Sequence, residues 1–338
     1  MLQKIKKVFK LIFKIFLIVL ALVSVLFIFF NIPVAKENAD AKLGVTFSMR
    51  YATDIGLDWR AAYLATLDDL GVKKIRIPVY WDFVEPQDGQ YNFSDLDWQM
   101  EEAQKRNAEI ILAVGQKVPR WPECFIPEYL KNDDAKRKQK LVEFVSVVVE
   151  RYKNNAALKY WQIENEPFLD FGICPDLDTN LLDDEIAMAR KTDTGHSIII
   201  TDSGELSLWV HAASRADVFG TTMYRTIYSA KYGFYTYPIG PRFFQFKYWM
   251  NKIFARQDNA IVIELQAEPW IAGWTTGQSL EKQFESMNVS QLKENVSFAR
   301  QVGFPEIYLW GAEWWYWLKV NQNHPELWEA AKGMFQNQ

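Results

Sequence analysis

Histidine, cysteine and clustered positive charge are scarce in this chain, and each shortage removes a class of function. The three histidines, His196, His211 and His324, stand in no motif with acids or cysteines, which argues against a catalytic metal and leaves no cofactor to expect. No apolar run is followed by GxGxxG, or by GxxxxGK with Ser or Thr, so the usual glycine-rich phosphate cradles are missing. Beyond the first fifteen residues the 38 Lys and Arg are scattered, and the net charge is -4, so the basic stripe that a nucleic acid requires is absent. There is no short repeat, no low-complexity tract and no break that marks a second domain.

Aromatic rings, by contrast, are abundant. They make up 15% of the residues and include 14 Trp, more than a core needs, which leaves some for a ligand surface of the kind that sugars use. The 338 residues also exceed what one α/β barrel requires, about 250.

The chain opens with lysines at 4, 6, 7, 10 and 14 and continues as an almost unbroken apolar run from Ile15 to Ile32. As a helix that run is about 27 Å long, nearly the thickness of a hydrocarbon core. We therefore expect a basic cytoplasmic N-terminus over 1–14, a membrane anchor over 15–32, a tether over 33–41 and an extracytoplasmic domain over 42–338, oriented by the lysines on the inner side. A cleaved signal peptide with its site near Ala39-Asp40-Ala41 is the alternative.

From Lys42 onward, short runs rich in Val and Ile alternate with longer stretches of helical period. The strand segments are LGVTFS, KKIRIPVY, EIILAVG, ALKYWQIE, SIIITD, DVFGTTMY, AIVIEL and EIYLWG. Helices are expected at 58–71, ending on Gly71, at 94–107 and at 133–153, with further ones over 205–214, 243–256, 280–302 and 324–335. Eight strands with about as many helices favour a closed (β/α)8 barrel over an open doubly wound sheet. Residues 225–242 look like an aromatic loop insertion.

Functional residues of such a barrel sit at the carboxyl ends of its strands. That rule selects Arg76 after the second strand, Glu166 ending the fourth before Pro167, Tyr224 after the sixth, Glu264 closing the seventh and Trp310 closing the eighth. Two carboxylates at one mouth suit glycosidic cleavage, one protonating the leaving oxygen and the other attacking the anomeric carbon. Alternatives stay open for each residue. Glu164 shares a face with Glu166 by strand alternation, and Glu268 and Glu313 compete with Glu264; Arg76 could be an ion-pair partner and Tyr224 a packing ring. Trp121 and Trp270, each beside a proline after a strand, are the best candidates for sugar platforms, whereas Trp81, Trp274, Trp314, Trp315 and Trp317 read as core or rim. Glu85 and Glu205 read as turn or cap residues. Cys124 and Cys174 follow the third and fourth strands, on neighbouring loops, and could form a disulfide outside the cytoplasm or remain unrelated thiols.

The segments RIPVYWDFVEPQDGQYNFSDLDW, VGQKVPRWPE, WQIENEP, IVIELQAEPW and LWGAEWWYW resemble successive strand regions of clan A of the retaining glycoside hydrolases, a (β/α)8 group that includes families 5, 10, 39 and 42. The resemblance runs from about Lys42 to Phe335, although TTMYRT lacks the His that some of these families carry on the sixth strand. It implies Glu166 as acid/base, Asn165 as donor to the sugar 2-hydroxyl, Glu264 as nucleophile held by Arg76 and Tyr224, and Trp310 beneath the reactive sugar. The implied activity is hydrolysis of a β-glycosidic bond in a carbohydrate outside the cytoplasm. A transglycosylase using the same pair, or a surface glycan-binding barrel without catalysis, are the other readings.

Overall fold

The eight apolar runs form eight parallel strands that close into one barrel in the computed structural model, which describes residues 2–271 and 273–336. The strands are β1 (Lys42–Thr46), β2 (Lys74–Pro78), β3 (Glu109–Val114), β4 (Leu158–Ile163), β5 (Ser197–Asp202), β6 (Val218–Met223), β9 (Ala260–Gln266) and β10 (Glu306–Trp310). Between β6 and β9 lie β7 (Thr226–Ser229) and β8 (Gly233–Thr236), an antiparallel hairpin formed by the aromatic insertion. The barrel closes between first and last strands, with Lys42 opposite Glu306 and Thr46 opposite Trp310.

Strand alternation sorts the side chains into two cores. Ile75, Ile110, Leu112, Trp161 and Val262 face outward under the helices, while Ile111, Ile199, Val218, Ile261, Ile263 and Tyr308 fill the barrel interior. Burial on both faces explains why the strands read as continuous apolar runs rather than alternating ones. The inner layer is plugged at its amino end by Lys74, whose ammonium meets Glu306 at 3.2 Å and also contacts Glu109.

β9 departs from regular pairing. Thr221 and Thr222 of β6 pair with Val262 and Glu264, and Ile307 and Leu309 of β10 pair with Val262 and Leu265. One extra residue is thus accommodated in β9 against both neighbours. Such a bulge re-aims the side chain that follows it, and here that side chain is Glu264.

The first three expected helices are present as Trp59–Asp68, Ser94–Lys105 and Asp134–Tyr152, and Gly71 takes a left-handed φ of 76° just past the first. Of the later ones, 243–256 is present as Pro241–Met250 continued by Asn251–Ala255 and 324–335 as Glu326–Gln336, while the other two differ. Over 205–214 only Val210–Ala213 is helical, because Glu205 accepts the Tyr224 backbone N–H and Ser203 accepts the Trp209 indole N–H, folding the segment over the barrel end. The expected helix over 280–302 is two, Leu280–Ser286 and Val289–Val302, divided where the Asn288 side chain caps the amides of Ser290 and Gln291. Thr179–Thr192 and Ala312–Asn321 are additional helices; the second buries Trp314, Trp315 and Trp317 and so lacks an amphipathic period.

The N-terminal helix spans Leu2–Phe30, ending two residues short of the expected boundary. Lys4–Phe30 is long and apolar enough to cross a membrane, and contains an 18-residue stretch with a mean hydropathy of 3.1.

Cys124 and Cys174 form a disulfide that joins the loops after β3 and β4, with a Cα–Cα distance of 5.3 Å and a sequence separation of 50. In the chain-entropy picture a loop of this size stabilises by about 4 kcal/mol. We expect Cys124→Ser with Cys174→Ser to lower the unfolding free energy by up to about that amount. Urea denaturation of the oxidised protein and the double variant checks this, and coincident curves would contradict it.

Candidate active site

Arg76 lies inside β2 rather than after it, pointing into the barrel with no exposed surface. Each of its guanidinium nitrogens has a partner: Nη1 donates to Glu264 Oε1 at 2.5 Å, Nε to Gln162 Oε1 at 2.7 Å and Nη2 to Asn165 Oδ1 at 2.6 Å. The other Glu264 oxygen, Oε2, accepts the Tyr224 hydroxyl at 2.9 Å. Glu264 therefore has a cation on one oxygen and a neutral donor on the other. Burial, reinforced by the Glu264 charge, pushes the Tyr224 phenol well above its usual range and keeps it a donor.

β4 stops at Ile163, before Glu164-Asn165-Glu166, and both glutamates have positive φ, 55° and 43°. Pro167 is thus not what ends the strand, and alternation does not govern which way the two glutamates point. Glu164 turns away from the barrel axis to accept the backbone N–H groups of Gln116 at 2.8 Å and Lys117 at 2.7 Å. A side chain at Gly115, whose φ is 146°, would collide with that carboxylate. Asn165 bridges the site, accepting from Arg76 and donating through Nδ2 to Glu123 Oε2 at 3.1 Å. Glu166 takes the remaining direction. Its Oε1 accepts the Thr222 hydroxyl at 3.0 Å, and its backbone N–H is held by Thr201 Oγ1 at 2.8 Å. Burial first, then the charges of Glu264 and Glu123, push the Glu166 carboxyl well above the usual range, the condition for a side chain that holds a proton near neutrality.

Glu166 and Glu264 share a cavity of about 680 Å³ at the carboxyl end of the barrel. Trp310 walls it, with its indole N–H donated to Glu268 Oε1 at 2.8 Å. Trp121 and Trp270 lie across the mouth, joined through Phe171 at ring-centroid distances of 6.1 and 5.9 Å, and Trp270 meets Tyr224 edge-on at 5.0 Å. Asn165, Glu166, Tyr224, Glu264, Trp310, Trp121 and Trp270 thus line one space, and Arg76 lies beneath it, joined to it through Glu264 and Asn165.

The competing carboxylates have other partners. Arg120, lying between the rings of Tyr51 and Trp310, ion-pairs with Glu268 and with Glu313, the latter at 2.9 Å. Glu313 is also held by the Ser48 backbone N–H at 2.5 Å. Glu85 does serve a turn, taking the Gly89 N–H at 2.9 Å. Glu205 is more than a cap, since it lines the cavity behind Tyr224 and burial lifts its carboxyl to about 8. Sequence reasoning missed Arg120, Glu123 and Thr222. Their signal was position alone: PRWPE follows the third strand, and Thr222 precedes Tyr224 on the sixth.

The family model described as Cellulase (glycosyl hydrolase family 5) matches residues 46–230. The curated β-galactosidase BgaA of Clostridium cellulovorans is 29% identical over 119 residues, which are 30% of this chain and 18% of that protein, so the alignment spans under a fifth of the relative. Among solved structures, the β-galactosidase from the psychrophilic Marinomonas ef1 superposes with a TM-score of 0.57 at 12% identity, covering 87% of this chain and 59% of that one. A GH10 endoxylanase from a sugarcane soil metagenome gives 0.57 at 14% identity over 80% of this chain and 86% of its own. At such identities the structural likeness establishes the fold.

Glu123 supplies a test of the site's electrostatics. Burial, with the Glu264 charge second, raises its carboxyl from 4.5 to about 8. Between those values the unfolded chain has released a proton that the folded chain keeps, so stability falls as pH rises, by up to about 1.4 kcal/mol per pH unit. Glu123→Gln removes this dependence, so the variant should gain stability relative to wild type from pH 5 to 8 and then level off. Denaturant unfolding across that range measures the difference; parallel profiles would contradict it.

Proposed function

The chain belongs to glycosyl hydrolase family 5, and from that premise we propose that this glycosidase acts by retention on a β-glycosidic bond, with Glu264 as nucleophile and Glu166 as acid/base. The observation that carries this reading is the unequal setting of two carboxylates at one cavity. Glu264 has the Arg76 cation and the Tyr224 hydroxyl, whereas the side-chain partner of Glu166 is the neutral Thr222 hydroxyl.

In the first step Glu264 attacks the anomeric carbon while Glu166 gives its proton to the departing oxygen, leaving a glycosyl ester on Glu264. Glu166, now a carboxylate, then takes a proton from water as that water displaces the ester. Two inversions amount to retention. Asn165 Nδ2 carries a second hydrogen beyond the one directed at Glu123, and we assign it to the sugar 2-hydroxyl. Trp310 is covered on one side by Arg120 at 4.1 Å, and its cavity side is assigned to the reactive sugar. Trp121 and Trp270 are assigned to neighbouring sugar units at the mouth. The family's cellulase description and the β-galactosidase relative put β-glucosides and β-galactosides first among substrates to assay.

For placement, we read 1–14 as cytoplasmic, the apolar helix as a membrane anchor, 33–41 as a tether and the barrel as extracytoplasmic. The Cys124–Cys174 disulfide supports this side, since such bonds persist in oxidising compartments.

Removing the two carboxylates should do different damage. Glu264→Ala should abolish turnover of every substrate. Glu166→Ala should lose about 10²- to 10⁴-fold on substrates whose leaving group needs a proton. With activated aryl β-glycosides that variant should accumulate the intermediate, and azide should restore turnover by giving a β-glycosyl azide. Near-normal activity of Glu264→Ala, or an inverted first product by NMR from wild type, would refute the assignment.

A further inference from the structure

The connection from β8 to β9 carries an apolar surface whose side chains do not line the cavity. Helix Pro241–Met250 continues through a wider turn, Asn251–Ala255. Phe244, Lys247 and Asn251 of this segment are buried, while Trp249, Ile253 and Phe254 are 54%, 49% and 64% exposed. Phe246 stacks on Trp249 with ring centroids 5.8 Å apart, so the four apolar side chains form one outward strip. On the opposite wall of the barrel, between β2 and β3, the exposed positions of helix Ser94–Lys105 are instead polar, among them Glu101, Gln104 and Lys105. A solvated helix face has no reason to display large apolar side chains so close together.

The same strip is continuous with the N-terminal helix. Phe30, its last residue, packs on Phe243 at 5.4 Å and on Phe246 at 5.6 Å. The chain beyond is fastened to the start of the strip: Asn31 Nδ2 donates to the Pro238 carbonyl at 3.1 Å and Arg242 Nε to the Ile32 carbonyl at 3.1 Å. Lys252 and Arg256 are exposed beside Ile253 and Phe254. Aromatic rings flanked by cations, starting where an apolar helix ends, match the chemistry of a lipid headgroup layer.

Taking the N-terminal helix as a membrane span, we propose that Phe246, Trp249, Ile253 and Phe254 seat in the interface of the same bilayer, with Lys252 and Arg256 meeting lipid phosphates. The barrel is then held at two points. Because barrel helices run antiparallel to the strands along the barrel's flank, this contact lays the barrel on its side, and the cavity opens along the membrane plane rather than away from it.

Both native cysteines are paired, so Trp249→Cys, Phe254→Cys or Gln104→Cys gives the full-length protein one free thiol. Each variant is labelled with an environment-sensitive fluorophore and reconstituted in vesicles of phosphatidylcholine and phosphatidylglycerol. Labels at 249 and 254 should be quenched by doxyl groups near the lipid headgroups, and should be severalfold less accessible to aqueous iodide than the label at 104. Equal iodide access at all three positions overturns the proposal. Protection from iodide without doxyl quenching also overturns it, because the cover would then be protein, such as a second copy. Alkaline carbonate separates the two failures: release of the chain from the vesicles removes the anchor and the docking together, whereas a retained chain with wet labels removes the docking alone.

Discussion

The guanidinium of Arg76 is the fixed point of this site. It is fully buried, and it ties three parts of the barrel together through Glu264 on β9, Gln162 on β4 and Asn165 in the turn beyond β4. A buried cation is tolerable only with its charge paired and its N–H groups satisfied, and breaking such a pair costs about 3–5 kcal/mol because the partner is left uncompensated. Gln162 and Asn165 satisfy the donors without adding charge, so the whole positive charge is directed at one carboxylate. The chemistry proposed for the pair depends on that allocation. Glu166, next to the same cavity, accepts the neutral Thr222 hydroxyl, which by itself favours the charged form, but burial and the fields of Glu264 and Glu123 outweigh that single bond and favour the protonated form.

Placing three acidic groups near one cation has local structural costs. Glu164 and Glu166 occupy left-handed backbone conformations, each worth roughly 1–3 kcal/mol for a residue with a side chain. These are held by specific bonds: Gln116 and Lys117 amides on Glu164, and Thr201 on the Glu166 backbone. β9 spends one residue on a bulge before Glu264. Beneath this polar layer the barrel interior is Ile, Val and Tyr, which gives the strained mouth a rigid floor.

Much of this arrangement was legible in the chain. The eight strands stood out because strands buried on both faces are short continuous apolar runs, and the mouth residues followed from the ends of those runs. Glu264 was found in IVIEL although the bulge that orients it has no signature in residue type. The Cys124–Cys174 disulfide followed from the two cysteines lying on adjacent loops. What failed were inferences from regular geometry. Alternation put Glu164 and Glu166 on one face, but both lie past the strand with positive φ. The helix Ala312–Asn321 was invisible because its tryptophans are buried around most of its circumference, leaving no period to read. Arg120, Glu123 and Thr222 carry no motif, and their roles arise only when the loop after β3 folds over the mouth that Thr222 faces from β6.

Family membership and the unequal carboxylates lead to one chemical commitment, that the sugar is transiently esterified to Glu264. The measurement that reaches it most directly is trapping with an activated 2-deoxy-2-fluoro-β-glycoside, which slows both steps but the second more, followed by peptide mass spectrometry. The proposed mechanism predicts a stoichiometric fluoroglycosyl adduct on Glu264, absent from Glu264→Ala. An adduct on Glu166, Glu123 or Glu268, or turnover of a cleaved substrate with no adduct under any trapping condition, would contradict it.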